Sequence, residues 1–294
     1  MATLAEWTAG ARLRTLPAAA APVLVGTGAA IQAAGWDEPG RQTLLALLAL
    51  GVALALQVGV NYANDYSDGV RGTDLDRVGP LRLTAAGLAA PTHVKYAAFA
   101  SFALGAVFGL ALVVLTGYVW LLAVGVVAIA AAWFYTGGSH PYGYRGLGEV
   151  GVFVFFGLVA VLGSTFIQIG RFTWPAVAGA VGVGLLACAL LMVNNLRDIP
   201  TDALVGKLTL AVRIGDRRAR RVYVAMVALP ILLGVACAFA APWSLLVLLL
   251  ALPVTVLSVT VLLGARGIAL VPVLAGTGLV ELGYGLLLGL GLSL

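Results

Sequence analysis

The sequence predicts an all-α, polytopic membrane protein, and three observations predict it. Of the 294 residues, 62% are hydrophobic and only 10% charged, with a mean hydropathy of +1.06, far from the average of a soluble domain. Nine stretches are continuously apolar over about the 20 residues that a helix needs to cross a hydrocarbon core. The positive charges also alternate with the stretches: of the 17 Lys and Arg, only Arg41 and Arg171 fall on one side and the rest on the other. Strands of a barrel would instead show roughly ten-residue segments of alternating polarity.

The first span, 15–35, follows Arg12 and Arg14 and is too long for the apolar core of a signal peptide, so it reads as a retained helix. The second, 43–62, contains the uncharged run TLLALLALGVALALQVGV and meets the polar stretch NYANDYSDGVRGTD at 61–74. The third and fourth, 94–115 and 118–136, are joined by a short turn, and the fourth leads into YTGGSHPYGYRGLGE at 135–149. The fifth covers 150–169, and the sixth, 174–194, ends on NNLRDIPTD at 194–202. Spans 222–241, 243–264 and 268–291 complete the set and carry no motif. Lys/Arg excess marks the cytoplasmic face, which places the N-terminus and both long connections inside a cell membrane. The formal charge of +5 is thus a topological signal without implication for nucleic acid, and RIGDRRARR at 213–221 reads as a solvated anchoring cluster. Cys188 and Cys237 fall inside spans with no motif spacing and read as small packing residues.

Two connections are long, 63–93 and 195–221, and they hold seven of the twelve Asp and Glu. Their starts resemble each other: Asn61-x-x-x-Asp65-x-x-Asp68 against Asn194-x-x-x-Asp198-x-x-x-Asp202, each followed by a basic, glycine-bearing stretch. The single domain, 1–294, therefore reads as two pseudo-repeated parts, about 1–117 and 118–241, plus C-terminal helices. Repeats of this kind build a site at their interface, so the two acidic clusters are expected to confront each other across a central cavity. The i,i+3 and i,i+4 spacings put each pair on one face if the helix continues that far. Pro200 is expected to break or kink the second.

Like charges so close need a cation between them. Lys and Arg in the same loops supply one answer, an ion-pair network. The other is a metal: carboxylates and Asn side chains without His or Cys form an all-oxygen environment that suits Mg2+, which uses one or two carboxylates and completes its shell with water and phosphate. Two such clusters would hold a diphosphate. Arg77, Arg82 and Lys207 in these loops, and Arg145 in the third, are placed to stabilise its charge as it leaves, with a topological anchor as the alternative for Arg145. Tyr62, Tyr66, Tyr135 and Tyr142 stand beside the motifs, either as interfacial belt residues or as aromatic faces for an allyl cation.

NDYSDGVRGTD and NNLRDIPTD resemble the paired aspartate-rich motifs of the UbiA superfamily of intramembrane aromatic prenyltransferases. RLRTLPAAAAPVLVGTG at 12–28, the loop at 61–87, YTGGSHPYGYRGLGEVGVFVFFG at 135–157 and NNLRDIPTDALVGKLTLAVRIG at 194–215 extend the resemblance, and together they are similar to the branch that prenylates 1,4-dihydroxy-2-naphthoate. The resemblance implies nine transmembrane helices around a central cavity with cytoplasmic aspartate-rich loops. It implies that Asp65, Asp68, Asp198 and Asp202 are catalytic and bind Mg2+. Asp74, later than the generic spacing, joins them as a metal ligand. Asn61, Asn64, Arg77, Arg82, Tyr135, Tyr142, Arg145, Asn194 and Lys207 are the implied substrate contacts, with a polyprenyl diphosphate as donor, 1,4-dihydroxy-2-naphthoate as acceptor and membrane lipid around them. Arg12 and Arg14 read first as interfacial anchors, and Arg12 or Arg14 is a further candidate for the aromatic acid.

Other readings compete. The acceptor could be another aromatic acid such as 4-hydroxybenzoate. Asp65-x-x-Asp68-Gly69 fits the start of the CDP-alcohol phosphotransferase pattern, but Gly72 and Thr73 stand where that pattern needs Ala and Arg. Two related halves with acids at the membrane edge also suit an ion-coupled transporter, whose acids would lie nearer the midplane.

Overall fold

The computed structural model describes residues 2–73 and 81–294, and among them all regular structure is helical. In chain order the helices are α1 (Leu4–Ala11), α2 (Pro17–Ala34), α3 (Pro39–Arg71), α4 (Pro91–Thr116), α5 (Leu121–Phe134) and α6 (Gly148–Ile169). They continue with α7 (Trp174–Leu204), α8 (Leu210–Ile214), α9 (Asp216–Phe239), α10 (Pro242–Leu262) and α11 (Gly267–Ser293). Their ends follow local chemistry. Thr3 opens α1 by accepting the Glu6 amide while the Glu6 carboxylate accepts the Thr3 amide. Proline, which has no N–H to leave orphaned, stands in the first turn of α2, α3, α4 and α7. Gly72, at φ 74°, closes α3 in the left-handed conformation and donates its N–H back to the Asp68 carbonyl.

Eight helices, α2, α3, α4, α6, α7, α9, α10 and α11, are long and apolar enough to cross a membrane. The remaining expected span is α5, whose 14 residues rise only about 21 Å against a hydrocarbon core of roughly 30 Å. The chain leaves the helix after Phe134 to line the cavity described below. By contrast α3 and α7 outrun their predicted ends: 33 and 31 residues correspond to about 50 and 46 Å. Asp65, Asp68, Asp198 and Asp202 therefore stand on helix rather than in loops. Pro200 does not break α7, which runs on to Leu204 with the proline inside it.

Small residues let the helices meet backbone to backbone. A Cβ on Gly28 of α2 would lie 2.2 Å from the Gly289 carbonyl oxygen of α11, and one on Gly157 of α6 would lie 2.7 Å from Gly184 Cα of α7. Within α6, Phe153–Leu162 winds as a π-helix, a form that recurs at functional sites. Cys188 and Cys237 are buried and unpaired, as their placement in spans predicts. Glu281, the isolated acid of the last span, is wholly buried on α11 and lies off the cavity wall.

The cluster RIGDRRARR divides. Arg213, Arg217, Arg218 and Arg221 are exposed, as an anchoring cluster requires, but Arg220 is buried. Its guanidinium donates twice to Asp216 at 2.9 Å and also to the carbonyls of Val261 at 2.6 Å and Ala265 at 2.9 Å, tying α9 to the end of α10. Arg220→Met would strip all these acceptors of their donor, at an expected cost of about 2–4 kcal/mol. A lowered unfolding temperature in detergent, with activity retained below the transition, is the expected observation.

Candidate active site

A cavity of about 1400 Å3 opens between α1, α2, α3, α4, α5, α6, α7 and the start of α11. Its polar lining comes from the far ends of the two motif helices, Asn64 and Asp68 on α3 with Asn194 and Arg197 on α7, joined by Arg82 and Lys207 from the connections. Away from that mouth the walls are mostly apolar, with Gly109 on α4, Ile129 on α5 and Phe155, Phe156 and Val159 on α6, interrupted by Gln57 on α3 and Ser164 on α6. The two motifs thus meet at one cavity although about 130 residues of chain separate them.

The aspartates do not play equivalent parts. Asp68 lines the cavity, accepts the Tyr144 hydroxyl at 2.6 Å and lies 3.5 Å from the Arg82 guanidinium. Asp65, three residues earlier, turns away: its two oxygens accept the backbone amides of Leu83 at 2.7 Å and Thr84 at 2.8 Å, fixing the turn that carries Arg82. Asp198 is held by both Nε and Nη2 of Arg197, at 2.6 and 2.8 Å, and Asp202 by Lys207 at 3.3 Å. For these two the ion-pair arrangement is realised, and neither lines the cavity. Among the described residues the lining contains five cations, Arg12, Arg14, Arg82, Arg197 and Lys207, against one carboxylate, Asp68. The expected confrontation of acids is instead a cationic mouth backed by acids, suited to an anionic ligand.

Other expected residues sort clearly. Asn61 lines the cavity and donates to the Ala11 carbonyl and the Thr15 hydroxyl, both at 2.9 Å. Asn64 accepts the Thr136 hydroxyl at 2.8 Å, and Asn194 accepts Arg197 Nη2 at 3.0 Å. Tyr135 and Tyr142 line the cavity with their rings edge to face, centroids 5.4 Å apart. Burial pushes the Tyr142 phenol up to about 12, so it stays neutral. Tyr62 and Tyr66 face elsewhere, Tyr62 donating to the Trp7 carbonyl and Tyr66 stacking on Trp133. Arg145 is exposed and does not line the cavity. Asp74, Asp76 and Arg77 lie outside the described residues.

Tyr144 and Arg197 are site residues that the sequence reading passed over. Tyr144 packs under the cations of Arg71 and Lys207, with ring-centroid distances of 5.4 and 5.3 Å. Burial and the Asp68 charge raise its phenol above the usual range, which keeps it a donor to Asp68. Arg71 donates to the carbonyls of Thr136 and Gly138, pinning this loop to the end of α3. Arg197, one of the Lys/Arg charges on the motif side, stands three residues after Asn194, a spacing that puts the two on one helix face.

No group of three His, Cys, Asp or Glu among the described residues gathers closely enough to hold a metal unaided. The donors at the mouth are all oxygen, from Asp68, Asn64 and Asn194, with the Asp198 carboxylate next to Arg197. That set fits Mg2+, which needs one or two carboxylates when phosphate oxygens and water complete its shell.

The sequence profile of the UbiA prenyltransferase family matches residues 19–267. A relative from Mycobacterium tuberculosis (strain ATCC 25618 / H37Rv), named 1,4-dihydroxy-2-naphthoate octaprenyltransferase, is 53% identical over 289 residues, 97% of this chain and 96% of its own. The protein of the same name from Escherichia coli (strain K12) is 43% identical over 221 residues, 73% of this chain and 70% of its own. The apo structure of a UbiA homolog from Aeropyrum pernix K1 superposes with a TM-score of 0.67 at 16% identity, covering 93% of this chain and 96% of that one. A UbiA homolog from Archaeoglobus fulgidus bound to DMAPP and Mg2+ gives 0.63 at 15% identity, covering 98% and 99%. The long apolar helices, the paired motifs meeting at one cavity and these matches lead to one conclusion: the chain belongs to the UbiA prenyltransferase family.

Proposed function

We propose that the protein transfers a polyprenyl group from a polyprenyl diphosphate to 1,4-dihydroxy-2-naphthoate, with loss of the ring carboxylate as CO2, giving a demethylmenaquinol. The observation that carries this reading is the cavity itself, cationic at its mouth and apolar along its walls. The names of the relatives support the acceptor, and the DMAPP and Mg2+ of the Archaeoglobus fulgidus homolog support the donor class. Each of the two pseudo-repeated parts, about 1–117 and 118–241, supplies one motif helix. On the asymmetry of Lys and Arg, these helix ends and the N-terminus face the cytoplasm of a cell membrane.

Arg82, Arg197 and Lys207, with the Asn64 and Asn194 amides, hold the diphosphate. As the donor's carbon–oxygen bond breaks, its electron pair leaves with the diphosphate, and these preset cations stabilise the charge that gathers there. Asp68, with the Asn64 and Asn194 oxygens, would hold Mg2+, which would supply further positive charge to the same leaving group. The Tyr135 and Tyr142 rings line the region of the developing allyl cation. The apolar walls keep out water that would convert the cation to an alcohol. A ring carbon of the naphthalenediol gives an electron pair to the prenyl carbon, and the pair from the broken bond to the carboxylate restores aromaticity. Arg12 and Arg14, on the α1–α2 side of the cavity, carry the charge that complements the acceptor's carboxylate before it leaves.

Purified protein in nanodiscs, given Mg2+, a polyprenyl diphosphate and the naphthoate, is expected to release prenylated naphthoquinol and CO2 in equal amounts and to stop when EDTA is added. Prenylation of 4-hydroxybenzoate in place of the naphthoate would reassign the acceptor, and no prenylated product from either would sink the reading.

A further inference from the structure

Two buried Arg–Asp pairs flank the cavity mouth, and they are not alike. On α7 the guanidinium of Arg197 closes on Asp198 with two prongs, at 2.6 and 2.8 Å. Arg82 and Asp68 are buried as deeply, at 7% and 3% exposed, yet Arg82 Nη2 stops 3.5 Å from Asp68 Oδ2. Opposite charges attract strongly where water is scarce, and a guanidinium fork facing a carboxylate commonly makes two parallel bonds. The Arg82 pair is held open.

Both of its members are fixed from elsewhere in the chain. Asp65 accepts the amides of Leu83 and Thr84 and so anchors the turn that carries Arg82. Asp68 is taken by Tyr144, whose phenol donates to Oδ1 at 2.6 Å. The direction of that bond is set, because a carboxylate only accepts. Thr73 Oγ1 lies 3.2 Å from the same phenol oxygen and 3.2 Å from the Asp68 carbonyl, so whichever of these its own proton meets, the phenol proton stays with Oδ1. Tyr144 is anchored in turn: its carbonyl accepts the Leu208 amide at 3.0 Å, and its ring lies 5.4 Å from the Arg71 guanidinium and 5.3 Å from the Lys207 ammonium. The end of α3, the loop at 135–147 and the connection after α7 thus place one hydroxyl against one oxygen of Asp68.

We propose that Tyr144 is a positioning residue for prenyl transfer: by occupying Oδ1 of Asp68 it keeps Arg82 from closing a two-pronged ion pair on that carboxylate, so that Asp68 remains open to a divalent cation and Arg82 to the diphosphate. This rests on the reading of the mouth as the place where Mg2+ and the donor's diphosphate meet. A closed pair would spend the two charges on each other, whereas the leaving group needs them in separate places.

The test uses the full chain in nanodiscs, with Mn2+ standing in for Mg2+ and saturating inorganic pyrophosphate for the donor, and reads bound Mn2+ by electron paramagnetic resonance. Tyr144→Phe keeps the ring beside Arg71 and Lys207 and the backbone bond to Leu208 but has no proton for Asp68. It is expected to weaken Mn2+ binding by about tenfold, the scale of one hydrogen bond to a charged group. Lysine has no fork to close, so in an Arg82→Lys background the same loss of the hydroxyl should weaken Mn2+ by about twofold or less. A role in packing alone would not depend on the fork of Arg82. In turnover, Tyr144→Phe should raise the Mg2+ concentration for half-maximal rate by about tenfold while kcat at saturating Mg2+ stays within about threefold of wild type. If Tyr144→Phe does not fold, Tyr144→Trp, which also carries a ring without a hydroxyl, takes its place with the same expectations. Mn2+ binding that Tyr144→Phe leaves unchanged, or weakens equally in the Arg82→Lys background, overturns the proposal, and so does a kcat that stays low at saturating Mg2+. A wild type that binds no Mn2+ with pyrophosphate and forms no prenylated product removes the proposed function and this inference together.

Discussion

Asp68→Asn is expected to lower kcat/KM for the prenyl diphosphate by about 1000-fold, on the order of 4 kcal/mol of transition-state stabilisation, in a protein that still folds. Asp68 is the carboxylate that lines the cavity among the described residues, and asparagine preserves an acceptor for the Tyr144 hydroxyl while removing the charge. Asp65→Asn is the informative contrast. Its carboxylate accepts two backbone amides, of Leu83 and Thr84, and asparagine has one carbonyl oxygen for them. The expected result is a stability loss of about 1–3 kcal/mol with a smaller loss of rate, through displacement of Arg82. Kinetics and thermal unfolding of the two variants side by side separate the roles. A stable but inactive Asp65 variant beside an active Asp68 variant would reverse the assignment.

Arg197→Leu is expected to fail twice over. It takes a cation from the cavity mouth and removes the two-pronged partner of Asp198 in a buried setting, where breaking an ion pair costs about 3–5 kcal/mol. Stability and chemistry can be parted by a second change. Replacing both members, Arg197→Leu with Asp198→Leu, should recover most of the unfolding temperature, because no buried charge is left behind, and should still show no turnover. Arg197→Lys should fold and bind the donor about tenfold more weakly, since a lysine supplies charge without the planar fork. Full activity in the double-leucine variant would show that Arg197 serves packing alone.

Much of the site was legible along the chain, and what escaped did so for identifiable reasons. Asn61, Asn64, Asp68 and Asn194 reach the cavity because α3 and α7 stay helical past the apolar core, so the spacing read from the sequence becomes a shared face. The same spacing misleads at Asp65: three residues from Asp68 it is close enough to look equivalent, yet its carboxylate caps a turn formed by residues 18 and 19 positions later. Arg145 looked like a phosphate ligand by its loop, but Tyr144 takes the inward position and Arg145 the outward one. Of the break or kink expected at Pro200, the break does not occur, because the helix continues to Leu204. The shortness of α5 follows from where the chain departs to build the loop at 135–145.

A helical membrane protein with two oxygen-rich motifs at the ends of long apolar spans was readable along the chain, because these properties depend on composition and on spacing between near neighbours. The chain also carried the family resemblance, which rests on the same local patterns. Which aspartate lines the cavity, and that the cavity mouth is cationic, became legible with the folded arrangement. Both depend on partners brought in from elsewhere in the chain: Tyr144 to Asp68, Leu83 to Asp65, Arg82 and Lys207 to the mouth. A helix period sets the direction of a side chain, but the charge and hydrogen bonds it meets there come from other helices, and those are known only once the bundle has closed.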